Sequence, residues 1–408
     1  MICRHCKNSY LIPLVDLGSS PPSNMYLTDQ ENFKPEVWYP LKVYLCEKCL
    51  LVQTIDFVKA DELFHSNYAY FSGYSDSWIS HCENFVNYVV DRFNLDSNDT
   101  VIEIASNDGS LLQFFKNRNI KCYGVEPTQI AAEVAIQKGI DTFIEFFGTS
   151  YAKKLRTQGI KPKLLIANNV LAHVPDINDF LGGIDLIMSP DSIATFEFPH
   201  FLHLIDGLQF DTIYHEHYSY LSLTAANKIF NTNGLEVFDV EEIKTHGGSL
   251  RLFVQKLNQG LYERHPNVQI MLEREKKLGL NNLDYMRGFQ KDVENVKNKF
   301  LQFLLKAKEQ KKMVVGYGAA AKGNTLLNFA GVRPDLVSYI VDKNPYKQNM
   351  FCPGSKIPIV SENRLMEDKP DFVIIFPWNF KNEIKKQLEY IREWDGQFVT
   401  AIPKLSVF

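Results

Sequence analysis

The chain has 408 residues, with 44 Lys and Arg against 48 Asp and Glu, a formal net charge of -4 and 45% hydrophobic residues. That length holds two to four domains with buried cores, and the composition is globular rather than disordered. The slightly acidic balance argues against a nucleic-acid partner, which calls for a basic stripe. No run approaches the ~18 apolar residues of a membrane span.

The opening MICRHCKNSY has no apolar signal core, and the 7 cysteines suit a reducing compartment, so a cytoplasmic location is expected. Four of them, Cys3, Cys6, Cys46 and Cys49, form C-x2-C…C-x2-C, the spacing of two knuckles around one tetrahedral zinc. The separation over residues 7–45 predicts a small sheet between the pairs, with Trp38–Leu45 as a strand feeding the second knuckle. Arg4-His5 and Glu47-Lys48, inside the knuckles, are expected to be solvated. Disulfides are the competing reading of the same cysteines.

An aromatic stretch over residues 68–74 leads to a predicted helix over 75–92. Strands are then predicted over 101–104, 122–126, 142–146, 164–168 and 193–198, with helices over 110–117, 128–138 and 177–188. Strand and helix in alternation mean a parallel sheet covered on both faces. Segments 235–243 and 249–255 close this unit as an antiparallel pair, and His246-Gly247-Gly248 between them reads as a tight turn. A long Lys- and Glu-rich helix over 268–310 is expected to be a solvated connector. From Met313 the pattern restarts: strand 314–316, helix to 329, strands 337–342 and 372–376, helix 383–394, strand 398–402. No short-period repeat is present; the likeness is between two nucleotide-binding halves.

In Val101-Ile-Glu103-Ile-Ala105-Ser-Asn107-Asp108-Gly109-Ser110 an acid precedes a turn of small residues and a helix start, a loop that lets a ligand approach the backbone. Glu126 ends the next strand, where an acid accepts ribose hydroxyls. G-x-G-x-x-G is absent here, so a ribose-bearing ligand without phosphates, S-adenosylmethionine, fits better than a dinucleotide. Asn168 and His173 follow the fourth strand, at the sheet edge where ligands bind. Tyr214-His215-Glu216-His217 places four titratable side chains in succession. H-E-x-x-H is missing, which favours general-base work by a histidine over a metal site. The run Gly316-Tyr-Gly318-Ala-Ala-Ala-Lys322 matches G-x-G-x-x-A, with Asp342 ending the next strand. Read bare, it supports a rival: an NAD-dependent nucleotide-sugar oxidoreductase or epimerase.

The zinc knuckles, E-I-A-S-N-D-G, N-V-L-A-H-V-P-D, Y-H-E-H-Y-S-Y, H-G-G-S-L-R and G-Y-G-A-A-A-K-G-N-T, in this order, resemble the sugar C-methyltransferases of deoxysugar biosynthesis over nearly the whole chain. The resemblance implies an α/β protein of three parts: a zinc-binding domain (1–66), a Rossmann-like class I methyltransferase domain binding S-adenosylmethionine (67–305) and a Rossmann-like domain for the nucleotide of a nucleotide-linked keto-sugar (306–408). It implies methylation of a sugar carbon beside a ketone. His217 would be the base, with Tyr214, Glu216, His173 and Tyr68 lining the reaction site and a structural zinc buttressing the segment that carries Tyr68. Tyr214 or Tyr68 would donate to the enolate oxygen, and Glu216 would orient a histidine or bind a sugar hydroxyl. Glu103, Asn107, Asp108, Gly109, Glu126 and Asn168 would hold the cofactor. Gly316, Gly318 and Lys322 would hold the pyrophosphate, with a thymidine diphosphate sugar as the expected substrate. Ala105 stands where many methyltransferases carry glycine. No feature specifies an oligomeric state.

Overall fold

Three sheets organise the computed structural model, which describes residues 1–64, 71–280 and 283–408. The first combines β1 (Leu11–Ser20), β2 (Tyr39–Cys46) and β3 (Val52–Thr54), all antiparallel. The second contains β4 (Thr100–Ile104), β5 (Lys121–Val125), β6 (Asp141–Phe143), β7 (Leu164–Asn168) and β8 (Ile193–Pro199), five strands in parallel. A short strand, β9 (Ser219–Tyr220), leaves this unit and pairs with β3, so the first sheet takes its fourth strand from the middle of the chain. The antiparallel hairpin β10 (Leu235–Ile243) and β11 (Ser249–Lys256) then completes the second sheet, in the order β10-β11-β8-β7-β4-β5-β6. β4 and β7 are buried along nearly their whole length, which is why they read as apolar runs, interrupted in β4 by Glu103.

The third sheet has β12 (Val314–Tyr317), β13 (Ile340–Val341), β14 (Ile359–Val360), β15 (Phe372–Ile375), β16 (Gln397–Thr400) and β17 (Ser406–Val407), in the order β14-β13-β12-β15-β16-β17. The expected helix over 75–92 is Asp76–Phe93, started by Ser75, whose hydroxyl accepts the Trp78 N–H. The helix over 177–188 is Ile177–Ile187, capped by Asp176. The strand expected over 142–146 shortens to β6, that over 337–342 to β13, and the helix over 383–394 divides into Lys381–Gln387 and a 3-10 segment, Glu389–Trp394.

The long solvated connector is not there. Among the described residues, this stretch holds two α-helices, Pro266–Lys277 and Phe289–Glu309, with a 3-10 segment, Leu283–Met286, between them and Gly279 and Gly288 at φ of 84° and 88°. The second carries an apolar stripe, Phe289, Val293, Val296, Phe300, Leu304 and Ala307, all buried. That stripe packs the helix into the core beneath β1 and the third sheet: Gln290 receives the Asp16 N–H at 2.7 Å, and Phe303 meets Phe372 edge-on at 5.1 Å. Among the described residues, no helix is long and apolar enough to cross a membrane.

Candidate active site and zinc site

Each cysteine pair closes a tight knuckle: Lys7 N–H donates to Cys3 O and Leu50 N–H to Cys46 O, with left-handed φ of 58° at Lys7 and 67° at Leu50. The four sulfurs lie within 4.8 Å of one another, with Cys3 to Cys49 and Cys6 to Cys46 each 3.5 Å apart. Four thiolates ~2.3 Å from one tetrahedral ion are roughly 3.8 Å apart, so the set fits zinc and the spacing is far too long for disulfides. Arg4 and His5 are not solvated. Arg4 is buried and donates to Asp56 (2.6 Å), Thr54 O (2.9 Å) and Pro175 O (2.8 Å), while His5 Nδ1 lies 2.7 Å from Asn178 Oδ1. The first knuckle is a docking face for the central unit, while Glu47 and Lys48 of the second meet solvent as expected.

The carboxyl ends of the second and third sheets open into one cavity of ≈ 380 Å³. Both sheets reverse strand order there, between β4 and β7 and between β12 and β15, the crevice where open α/β sheets bind ligands. Ile104, Asn107, Glu126, Thr128 and Asn168 line it from one side; Ala320, Lys322, Pro377 and Asn379 from the other; Asn24 and Phe64 belong to the amino-terminal part.

On the first side the loop after β4 uses left-handed backbone at Ala105 (φ 55°), Asn107 (49°) and Gly109 (74°). Glu126 is buried and accepts from Asn107 N–H (2.8 Å), Thr128 N–H (2.9 Å) and Thr128 Oγ1 (2.5 Å), which leaves lone pairs for a ligand hydroxyl. Asn168 offers Oδ1 and Nδ2 atoms that are buried with no hydrogen-bond partner. A carboxylate and an unpaired amide on the edge of this sheet fit the ribose and polar groups of S-adenosylmethionine. Glu103, Asp108 and Gly109 do not reach the cavity. Glu103 sits beneath it, where burial and then repulsion from Asp108, Glu126 and Glu197 hold its pKa well above the carboxylate range. Asp108 is spent on Ser110 (2.5 Å) and Lys138 (3.2 Å), and Gly109 abuts Ile140 and Ala135.

On the second side Gly316 and Gly318 also fail to face the cavity: a Cβ there would meet Phe376 at 2.5 Å and Pro377 at 2.6 Å, respectively. Asp342 accepts Ala319 N–H (2.7 Å) and Asn344 N–H (2.8 Å), so the acid that would take a dinucleotide ribose is bound to its own loops. Lys322 does reach the cavity. Its ammonium donates to Asn379 (2.9 Å) and lies over the Trp378 ring, and burial lowers its pKa against the attraction of Asp211.

Between the two sides, residues 214–217 form a turn closed by His217 N–H to Tyr214 O (3.0 Å), which brings Tyr214 and His217 together. His217 Nδ1 lies 2.7 Å from Thr212 O, and a carbonyl only accepts, so Nδ1 carries the hydrogen. Nε2 then receives the Tyr214 hydroxyl at 2.7 Å. His173 Nδ1 likewise donates to Glu216 O at 2.8 Å, and its ring meets that of His217 at 4.6 Å. Burial, then repulsion from His173, holds the His217 pKa well below the histidine range; burial pushes His173 down to about 4. Glu216 orients His173 through its carbonyl, not its carboxylate: Oε1 accepts Asn24 N–H (2.9 Å) and Nδ2 (3.1 Å), and the side chain lies outside the cavity. His215 faces Tyr39. Tyr68 lies outside the described residues.

Several lining residues escape the sequence reading, among them Thr128, Asn379, Asn24, Lys347 and His246. Asn24 and Lys347 carry no local signal, and His246, in H-G-G-S-L-R, reads locally as part of a plain turn.

Three family models match the chain: a zinc binding domain over 3–64, a methyltransferase domain over 79–240 and a C-methyltransferase C-terminal domain over 244–403. The chain is 31% identical over 405 residues to the C-methyltransferase NovU of Streptomyces niveus, covering 99% of this chain and 96% of that one. This chain belongs to the S-adenosylmethionine-dependent C-methyltransferases. The oxidoreductase reading is thereby disfavoured. Similar solved structures each cover less than half of this chain. Magnesium protoporphyrin IX methyltransferase of Synechocystis PCC 6803 with bound SAM has 16% identity and a TM-score of 0.34, over 44% of this chain and 79% of that one. The PH0226 protein of Pyrococcus horikoshii OT3 has 12% identity and a TM-score of 0.37, over 46% of this chain and 95% of that one.

Proposed function

We propose that this C-methyltransferase acts on a nucleotide-linked keto-deoxysugar, a thymidine diphosphate sugar by preference, and methylates the carbon beside its ketone. The observation that carries the reading is the single cavity shared by two sheet edges, with a neutral histidine–tyrosine pair between them. Glu126 and Asn168 would hold the ribose and polar groups of S-adenosylmethionine, which when bound supplies an electrophilic methyl group. Lys322, at the start of the Ala321–Phe329 helix, would meet the sugar's diphosphate.

A carbon becomes nucleophilic only after losing a proton, and His217 is the base. Its Nε2 already holds the Tyr214 hydroxyl, so the sugar proton passes to the phenol oxygen as the phenol proton passes to Nε2. The bond electrons of the C–H form the enolate, and the carbon end attacks the methyl donor. His217→Asn should slow methylation by roughly 100- to 10,000-fold while S-adenosylmethionine affinity stays near wild type. Tyr214→Phe should be as damaging, because it breaks the same relay. Methylation rates and calorimetric affinities for both variants test this; normal turnover in the His217 variant would remove the base.

A further inference from the structure

An enolate forms only as fast as its growing negative charge is met, so the keto-sugar reading above, on which this inference rests, requires a hydrogen-bond donor at the ketone oxygen. The two histidines and the tyrosine of the base cluster do not supply one, and Lys322 is taken by the diphosphate in that reading. His217 and His173 each give their Nδ1 hydrogen to a main-chain carbonyl, which leaves lone pairs and no proton on their Nε2 atoms. The hydroxyl proton of Tyr214 goes to His217.

A third histidine lines the same cavity. His246 has φ 54° and ψ 20°, a left-handed conformation uncommon for residues with a Cβ. Its turn is pinned on several sides. Gln209 Nε2 donates to Gly247 O (2.9 Å), His200 N–H to Gly248 O (3.0 Å) and Gly248 N–H to Thr245 O (2.9 Å). A Cβ on Gly247 would meet Trp378 at 2.5 Å and one on Gly248 would meet the His203 ring at 2.5 Å, so the two glycines let the turn press against both rings. Trp378 is itself tied to Asp211, its Nε1–H to Oδ2 at 2.7 Å. All this holds, in a disfavoured conformation, an imidazole whose Nε2 is buried without a hydrogen-bond partner. Strain of this kind persists where the surroundings over-determine it, and it gathers at working sites. Burial, with repulsion from Lys322, pushes the His246 pKa down to about 4, so the ring is neutral and carries one N–H.

We propose that His246 is a catalytic residue whose Nε2–H donates to the ketone oxygen of the substrate and holds the enolate. The C–H bond breaks, its electrons move onto the ketone oxygen, and its proton goes to the Tyr214 oxygen, whose own proton goes to His217 Nε2. His246 keeps its hydrogen and shares it with the new oxyanion.

The test is exchange of the α-proton with deuterated water, followed by NMR. The full-length protein is used with a thymidine diphosphate-linked 4-keto-6-deoxyhexose and with S-adenosylhomocysteine in place of the donor. His246→Ala should lose exchange by roughly 100- to 1,000-fold. His246→Gln, whose amide N–H reaches the place of Nε2, should recover about tenfold over Ala, with calorimetric S-adenosylmethionine affinity unchanged in both. If the wild type exchanges, the role of His246 alone is overturned by a rate in the Ala variant close to wild type, by a Gln variant no better than Ala, or by a matching loss of cofactor affinity. A wild type that neither exchanges nor methylates this sugar would overturn the keto-sugar reading and the role of His246 with it.

Discussion

His217 is held between the carbonyl of Thr212 and the hydroxyl of Tyr214, each 2.7 Å away. That pair of contacts sets its tautomer, and burial sets its charge. The active form is the neutral ring, and the folded pKa lies well below the ordinary value near 6.5. Activity should therefore stay level as pH falls from 8 through about 6.5, with the acid limb of kcat/KM only below that. The sign for stability is the same. The unfolded imidazole takes up a proton near pH 6.5 that the folded one refuses, so its contribution is full above that pH and is lost as pH falls toward the folded pKa. A pH–rate profile, with circular dichroism marking the folded range, checks both; an acid limb centred at or above 6.5 would point to a different base. Glu126 poses a separate question of affinity. Replacing it by Ala removes a charged acceptor and the anchor of the Asn107 and Thr128 amides, and should weaken S-adenosylmethionine binding by about 10- to 100-fold, ~1.5–3 kcal/mol. Calorimetry giving wild-type affinity would place the ribose elsewhere.

Beyond the Asn24 and Phe64 side chains it lends to the cavity wall, the zinc module acts through its elements. β3 pairs with β9, which directly follows the His217 turn, and Thr54 Oγ1 donates to His217 O at 2.9 Å. Thr325, on the helix after β12, donates to Ile213 O at 2.9 Å, so the reactive turn is gripped from both ends of the chain. One zinc ion per chain is expected from elemental analysis. Chelation, or Cys46→Ser, should open residues 1–64 to protease before the methyl-donor unit, and should remove most of the activity although no cysteine reaches the cavity. Metal-free protein with full turnover would show that the module does not hold the turn.

At the scale of the molecule, the decisive arrangement is that two sheets with reversed strand order face each other across one cavity. Such a site should take two ligands, one on each edge. S-adenosylmethionine and thymidine diphosphate should each raise the melting temperature, by about 2.7 kcal/mol of stabilisation at a hundred times Kd, and NAD should not. Stabilisation by NAD alone would revive the oxidoreductase. It is disfavoured by the glycines of the second fingerprint, which close on Phe376 and Pro377, and by Asp342, which serves its own loop.

The sequence by itself determined what depends on neighbours in the chain. Paired cysteines make knuckles, short, largely apolar runs make β4 and β7, small residues make the loop after β4, and the ordered motifs name the family. Tertiary structure decided what depends on contacts between distant segments. Arg4 and His5 read as polar and exposed, yet Pro175 and Asn178 bury them. The 289–309 helix reads as charged, yet a stripe one side wide is enough to sink it into the core. Glu216 belongs to the reactive cluster in sequence, but Asn24 draws its carboxylate away. His246 lay in a turn that local rules explained fully. Gln209, Trp378 and His203, all from other elements, pin the turn that places that histidine on the cavity wall. Side-chain direction is set by such long-range partners, and no local pattern carries them.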